Sequence, residues 1–110
     1  MRNYLGEFEE LVLLTVAILN GEAYGFTITE EIERNTNRSV NMRAVHTALY
    51  RLEEKGFAES SLSGATAQRG GRRKRMYTIT QQGKNALSEM KNVRNKMWDL
   101  IPNTVITNGQ

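Results

Sequence analysis

The chain has 110 residues, of which 39% are hydrophobic and 25% are charged, with one histidine and no cysteine. This length suits one small domain that buries roughly two-thirds of its unfolded surface, so the core is thin without a partner chain. The lack of cysteine excludes disulfides and thiolate nucleophiles, and a single histidine leaves too few ligands for a zinc site. The longest apolar stretch, residues 11–19, is too short for a membrane span and follows acidic residues, so we expect a cytoplasmic protein without membrane contact.

Charge is distributed unevenly along the chain. Residues 1–33 carry one basic and seven acidic side chains, whereas residues 34–75 carry ten basic and three acidic ones. The densest positive run comprises Arg69, Arg72, Arg73, Lys74 and Arg75. Such a run either attracts a polyanion or only solvates a loop, and the run by itself does not distinguish the two.

The first predicted element is a helix over about Gly6–Leu19, where apolar residues recur at helical spacing. Leu11 belongs to this stripe, and most of the remaining positions are apolar too, namely Leu13, Leu14, Val16 and Ala17. A helix that is apolar nearly all round is buried on more than one face. The pattern indicates a partner chain, and we assign Leu11 and Leu14 to a dimer interface.

The next two predicted elements are also helices. One opens near Tyr24 and ends between residues 35 and 39, and the other covers Asn41–Lys55 with Asn41 as its N-cap. The apolar stripe of the third helix comprises Met42, Val45, Leu49 and Leu52. The polar positions that we expect to contact a ligand are Asn41, Arg43, His46, Thr47, Tyr50 and Arg51.

Two short strands are predicted over Phe57–Leu62 and Lys74–Ile79, where the helical period disappears. In the second strand, Tyr77 and Ile79 are expected to point inward. Glycine pairs between the strands predict turns, so the positive run lies on or beside a hairpin tip.

A last helix is predicted from an N-cap at Thr80 to Pro102, followed by a flexible tail over residues 103–110. Its apolar residues recur at heptad spacing: Ala86, Met90, Val93, Met97 and Leu100. Two heptads are too few for a coiled coil that is stable alone, so the stripe needs a partner. We therefore add Met90, Val93, Met97 and Leu100 to the dimer interface.

This order of elements is that of a winged helix-turn-helix, mainly α with a small β-wing, plus a C-terminal dimerisation helix. We place the DNA-binding domain at residues 1–79 and the dimerisation helix at residues 80–102. In this architecture the third helix enters the major groove of double-stranded DNA, where Arg43 can bind guanine through two hydrogen bonds. The basic wing would follow the phosphate backbone or enter the minor groove. The combination of helix and wing favours nucleic-acid binding over a solvated loop.

The sequence also resembles the PadR-like family of bacterial transcriptional regulators, most closely a subgroup of small proteins, over nearly the whole chain. The matching stretches are Gly6-Glu7-Phe8-Glu9-Glu10-Leu11, Tyr24-Gly25, Ala48–Gly56, Arg69–Arg75, Tyr77-Thr78, Thr80, Gly83 and Ala86-Leu87. One departure is Arg43-Ala44-Val45-His46, which stands where much of the family has Gly-Thr-Leu-Tyr. No operator sequence can therefore be transferred. The resemblance implies a homodimer built by exchange of the C-terminal helix, repression of transcription, and release by a small molecule.

Two other classes of function compete with DNA binding. A winged-helix adaptor would bind proteins instead of specific DNA, although an adaptor has little reason to keep five basic residues at its wing. An enzyme is disfavoured because His46 has no catalytic partner at a recognisable spacing, and the sequence indicates no cofactor or metal. Trp98, beside the apolar stripe, is either an ordinary packing residue, which we favour, or a contact for a small aromatic effector.

Overall fold

The computed structural model describes residues 4–62 and 74–107. Within these residues the elements follow the predicted order, and the predicted boundaries of the longer helices differ only at their terminal residues. The elements are α1 (Glu7–Ile18), α2 (Gly25–Thr36), α3 (Met42–Glu54), β1 (Ala58–Leu62), β2 (Arg75–Ile79), α4 (Gln81–Leu100) and α5 (Asn103–Thr107).

The hydrophobic core lies between the first three helices. Its largest fully buried side chains are Val12, Leu13, Val16, Ile28, Ile32, Val45, Leu49 and Leu52. The expectation that α1 is buried on more than one face is only partly met within the single chain. Leu14 and Ile18 are exposed, and Leu11 is half-buried.

The start of α3 is fixed by the predicted N-cap. The side-chain Oδ1 of Asn41 accepts a hydrogen bond from the backbone N–H of Arg43 at 2.7 Å, which satisfies one free donor of the first turn. Most of the predicted apolar stripe is buried, and Ala48 joins it. Met42 is the exception: as the first residue of α3 it lies at the end of the core and is exposed.

The two strands pair antiparallel, with Ser60 opposite Tyr77 and Leu62 opposite Arg75. Tyr77 is buried, as the predicted inward orientation requires. Its backbone N–H donates to the carbonyl oxygen of Ala23 at 2.9 Å. The second strand is therefore held between the first strand and the segment that precedes α2.

A close backbone approach joins α4 to the strands. Thr80 caps the helix, because its Oγ1 accepts from the N–H of Gly83 at 3.0 Å and donates to the carbonyl of Gly56 at 2.7 Å. A Cβ on Gly83 would lie 2.2 Å from the carbonyl oxygen of Phe57. Only glycine allows the first turn of α4 to approach the chain this closely.

The second half of α4 leaves the core, and every residue from 91 to 100 is exposed. The flexible tail expected over residues 103–110 begins instead with α5, whose N–H groups at Val105 and Ile106 donate to the carbonyl of Pro102 at 2.9 and 3.4 Å. Proline is tolerated just before the helix, since an N–H there would have no partner within the helix. Of the described helices, none combines the length and hydropathy that a membrane span requires.

Candidate nucleic-acid interface

The six positions predicted for the recognition helix lie together on the exposed face at and after the start of α3. All six are accessible, and no buried contact withdraws them from a ligand. Asn41 is the N-cap, and the other five form two rows with helical spacing, one of Arg43, Thr47 and Arg51 and one of His46 and Tyr50.

The first row lines a groove of about 380 Å³ between α3 and the start of α1. Arg43, Thr47 and Arg51 form one wall, and Phe8 and Glu9 from α1 contribute to the other. The Glu9 carboxylate is bound by the Lys55 ammonium at 2.6 Å, which offsets its negative charge at the groove. The row therefore presents two guanidinium groups beside a partly neutralised wall.

Arg38 is a further basic residue that the sequence patterns did not single out, and it contacts the Phe8 ring that lines this groove. Its guanidinium carbon lies 5.8 Å from the centre of the Phe8 ring, and its Nη1 bonds Glu7 at 3.0 Å. The available sequence signal was the excess of positive charge after residue 33, together with the position of Arg38 just before α3.

The second row faces α2. An ideal Cβ on Gly25 would lie 2.8 Å from Cε1 and 3.0 Å from Nε2 of His46. The imidazole therefore packs against the first residue of α2, where no side chain intervenes. This contact gives the exposed imidazole a defined direction on the surface of α3.

Tyr50 continues the second row, and Glu54 lies one turn further along α3. A hydrogen bond to Glu54, and then the negative charge of that carboxylate, raise the pKa of the Tyr50 phenol. Its hydroxyl donates to Glu54 in the free chain, and its exposed oxygen can accept from a ligand, while a ligand acceptor can replace Glu54.

The basic run of the wing is only partly within the described residues. Arg69, Arg72 and Arg73 lie outside them, whereas Lys74 and Arg75 are described. The Lys74 ammonium lies 5.3 Å from the centre of the Tyr24 ring, and Arg75 Nη1 donates to Ser60 Oγ at 3.0 Å. Both cations are therefore anchored at the base of the wing.

The residues predicted for the dimer interface fall into two groups. Leu11 and Met90 are half-buried within the chain, so part of their apolar surface is already covered. Leu14 and the later residues of the α4 stripe are exposed, and Met97 and Leu100 retain 63% and 71% of their accessible surface. The structure thus leaves an apolar stripe on α4 uncovered.

Trp98 lines a groove of about 570 Å³ between α1 and α4. The groove is also lined by Leu14, Leu87 and Arg94, and Trp98 is 63% exposed. Arg94 donates to the Glu10 carboxylate of α1 at 3.0 Å and so links the two helices. Trp98 is therefore not a packed core residue within the single chain.

Among residues 4–62 and 74–107, no three acidic or histidine side chains gather as metal ligands.

Residues 13–89, from the middle of α1 to the middle of α4, match the profile of the transcriptional regulator PadR-like family. The chain belongs to this family. PadR-like proteins are transcriptional regulators that bind DNA, not enzymes, so the exposed polar face of α3 lies on a protein whose role is regulation. The match ends before Val93, Met97 and Trp98, and the dimer and effector predictions rest on geometry and resemblance alone.

Individual relatives of this PadR-like chain agree with the assignment. An uncharacterized protein of Lysinibacillus sphaericus is 33% identical over 87 residues, which cover 77% of this chain and 75% of the relative. A PadR family transcription regulator from Clostridium difficile R20291 superimposes with a TM-score of 0.69 at 26% identity, covering 86% of this chain and 94% of that one. A PadR-like transcription factor from Bacteroides fragilis gives a TM-score of 0.71 at 17% identity over 84% of each chain. The predicted winged-helix fold is confirmed.

Proposed function

We propose that this PadR-like regulator binds specific double-stranded DNA as a homodimer, represses transcription there, and is released by a small aromatic effector. The observation that carries the proposal is the exposed polar face of α3, where six side chains suited to DNA contact lie together. A helix of this kind fits the major groove, where base edges are distinguishable.

The two rows of α3 have different roles in this proposal. Arg43, in the first turn, binds guanine through two hydrogen bonds of its guanidinium. Thr47 and Arg51 contact the DNA phosphate backbone or neighbouring bases. Asn41 contacts a phosphate near the start of the helix, and His46 and Tyr50 donate to bases or phosphates on the other side. The wing cations Arg69, Arg72, Arg73, Lys74 and Arg75 add charge that attracts phosphate regardless of sequence.

A homodimer accounts for the uncovered apolar stripe. Val93, Met97 and Leu100 are exposed along one side of α4, and Leu14 and Ile18 are exposed on α1. A continuous apolar surface of this kind is unfavourable in water and marks an interface. A second copy of the chain supplies the complementary stripe, and the resemblance to the family implies the same partner.

The effector proposal concerns the groove at Trp98. Its volume of about 570 Å³ is in the range of small-molecule pockets, and Trp98 offers an aromatic face for a flat ligand. Repression and release are implied by the resemblance to the family. A cytoplasmic location is part of the same proposal, because the regulator must reach the chromosome.

The proposal is tested by selecting genomic fragments that the full chain retains and titrating the best fragment and a random duplex at two salt concentrations. We expect the affinity for both duplexes to fall by orders of magnitude between about 50 and 200 mM salt, with the selected fragment bound more tightly throughout. The control variant is Arg34→Ala, which removes an arginine that is paired with Glu31 on α2 and should bind both duplexes like the wild type. Absence of salt-dependent binding to any duplex would overturn the proposal in favour of a protein-binding adaptor.

A further inference from the structure

We propose that Ser60 and Glu53 are positioning residues that hold the Arg75 guanidinium and thereby fix the base of the wing relative to α3. The inference rests on the proposed DNA binding and adds to it a specific requirement. In this inference, the neutral hydroxyl of Ser60 orients the Arg75 guanidinium in the free protein, and Arg75 contacts phosphate in that orientation.

The three residues form a continuous chain of hydrogen bonds across three elements. Arg75 Nη1, on β2, donates to Ser60 Oγ, on β1, at 3.0 Å. The Ser60 hydroxyl in turn donates to Glu53 Oε2, on α3, at 2.7 Å. A hydroxyl is suited to this middle position because it accepts from the cation and donates to the carboxylate at once.

The strand register explains why Arg75 reaches Ser60. Side chains two residues apart share a face of a strand, so Arg75 projects to the same side as the buried Tyr77. Ser60 is the cross-strand neighbour of Tyr77 and lies diagonally from Arg75, within the reach of a long side chain. This is the side of the sheet that faces the helices, and Glu53 lies there.

The edge of β2 that does not pair with β1 is joined to the start of α2. The N–H of Tyr77 donates to the Ala23 carbonyl at 2.9 Å, and the Lys74 ammonium lies over the ring of Tyr24, the N-cap of α2. The two described cations of the wing are thus connected to different helices, Lys74 to the start of α2 through Tyr24 and Arg75 to the last turn of α3 through Ser60. The base of the wing and the recognition helix are connected through side chains as well as through the chain.

The functional consequence is a smaller entropic cost of DNA binding. A guanidinium has five N–H donors, and the bond to Ser60 leaves others free for a phosphate. A side chain that is already ordered loses less rotamer freedom when it binds. Without the Ser60 hydroxyl, Arg75 still carries its charge to the DNA but has to be ordered during binding.

The test compares Ser60→Ala with Ser61→Ala, using the full chain and the selected DNA fragment. Ser61 is the neighbouring serine on β1, is exposed, and projects to the opposite face of the strand. We expect Ser60→Ala to weaken binding by roughly two- to tenfold, the loss that ordering one long side chain produces. Ser61→Ala, and Ser60→Thr, which retains a hydroxyl, should bind like the wild type.

A purely structural role of Ser60 is separated from positioning by the salt dependence and by Arg75→Ala. Arg75→Ala should reduce the slope of log affinity against log salt by about 0.9 per protomer, because each protomer loses one phosphate contact, whereas Ser60→Ala should leave the slope unchanged. In the Arg75→Ala background, Ser60→Ala should produce no further loss. Three results would overturn the inference: unchanged affinity in Ser60→Ala, an unchanged slope in Arg75→Ala, or losses in affinity that add in the double variant. In each case, DNA binding by the wild type would still support the proposed function. Loss of wild-type DNA binding itself would instead refute the proposed function.

Discussion

The imidazole of His46 on α3 packs against Gly25 at the start of α2, close enough that a Cβ on residue 25 would lie 2.8 Å from Cε1. Because Gly25 of α2 has no side chain, the exposed imidazole of His46 on α3 has a defined place. His46 is also one of the residues at which this chain departs from the family pattern, so under the proposed function its placement affects which DNA is bound.

Gly25→Ala should displace the imidazole of His46 and weaken binding to the selected DNA by a few fold, without destabilising the protein. The methyl group would press on the end of an exposed and rotatable side chain, which can move at little cost. Alanine also favours helix over glycine by up to about 1 kcal/mol. Fluorescence anisotropy and thermal unfolding measure the two effects separately.

The control is Gly25→Ala in the background of His46→Ala, where the methyl group meets no imidazole. If His46 contacts DNA, Gly25→Ala has no further effect on affinity in that background. Equal losses in both backgrounds would show that residue 25 acts on DNA binding by another route.

The regular elements were predictable because local signals mark them. Asn41 is a good N-cap followed by an apolar stripe, and Thr80 precedes a helix, so both start positions agree with the structure. The strand alternation around Tyr77 also predicted its burial. By contrast, α5 has too few residues to give a periodic pattern, and it depends on the carbonyl of Pro102.

The candidate site was predictable as a face of a helix but not as a set of partners. Helical spacing brought Arg43 and Thr47 together without any knowledge of the fold. The hydrogen bond between Ser60 and Arg75 and the contact between His46 and Gly25 join residues that are far apart in the sequence. Such contacts depend on how elements pack, which hydrophobic periodicity does not specify.

Arg43→Ala should weaken binding to the selected DNA by about 1 to 3 kcal/mol and relax the base preference at one position, because a two-pronged contact to guanine is lost. Arg51→Ala, at the other end of the same row, is the comparison. Titration of duplexes with single base changes measures both variants. If Arg43→Ala weakens binding equally on every duplex, Arg43 is a phosphate contact.

Replacing both Val93 and Met97 by glutamate should convert the proposed homodimer to a poorly folded monomer, because two charges would be buried in the apolar interface. Val93 and Met97 retain 47% and 63% of their accessible surface in the single chain, so neither is a core residue of it. Analytical ultracentrifugation and thermal unfolding measure the result. Asn92→Glu is the control, since Asn92 is exposed on another side of α4. A double variant that remains dimeric with an unchanged melting temperature would show that the stripe is not the interface.

Gly83→Ala should destabilise the fold by about 1 to 3 kcal/mol or more, because the new methyl group would collide with backbone atoms that cannot rotate away. The nearest backbone atoms are the carbonyl oxygen of Phe57 at 2.2 Å and its carbonyl carbon at 3.1 Å, and the Ile79 side chain also lies at 2.8 Å. Gly6→Ala is the matched control, since a Cβ there has no neighbour within 4 Å. Urea unfolding of both variants measures the difference, and equal stabilities would contradict the close approach of α4 to the strands.

Stability should fall as the pH rises above about 10, and Tyr77 should account for part of the fall. Burial, and next the negative charge of Glu53, raise the pKa of the Tyr77 phenol, while Arg75 opposes them. Above the ordinary pKa of a phenol, the unfolded chain has lost this proton while the folded chain retains it. The folded state therefore binds more protons in that window, and the free energy of unfolding decreases as the pH increases.

Tyr77→Phe removes the titrating group, so its free energy of unfolding should depend less steeply on pH above about 10 than that of the wild type. Tyr50→Phe is the comparison, because the pKa of Tyr50 is also raised but the side chain is exposed, and solvent screening reduces its contribution. Urea unfolding between neutral pH and pH 11 gives the three curves, and all other titrating groups are common to them. If the curve of unfolding free energy against pH for Tyr77→Phe is parallel to that of the wild type throughout, Tyr77 ionises equally in the folded and unfolded chains. The burial of its hydroxyl beside Glu53 then has no electrostatic consequence.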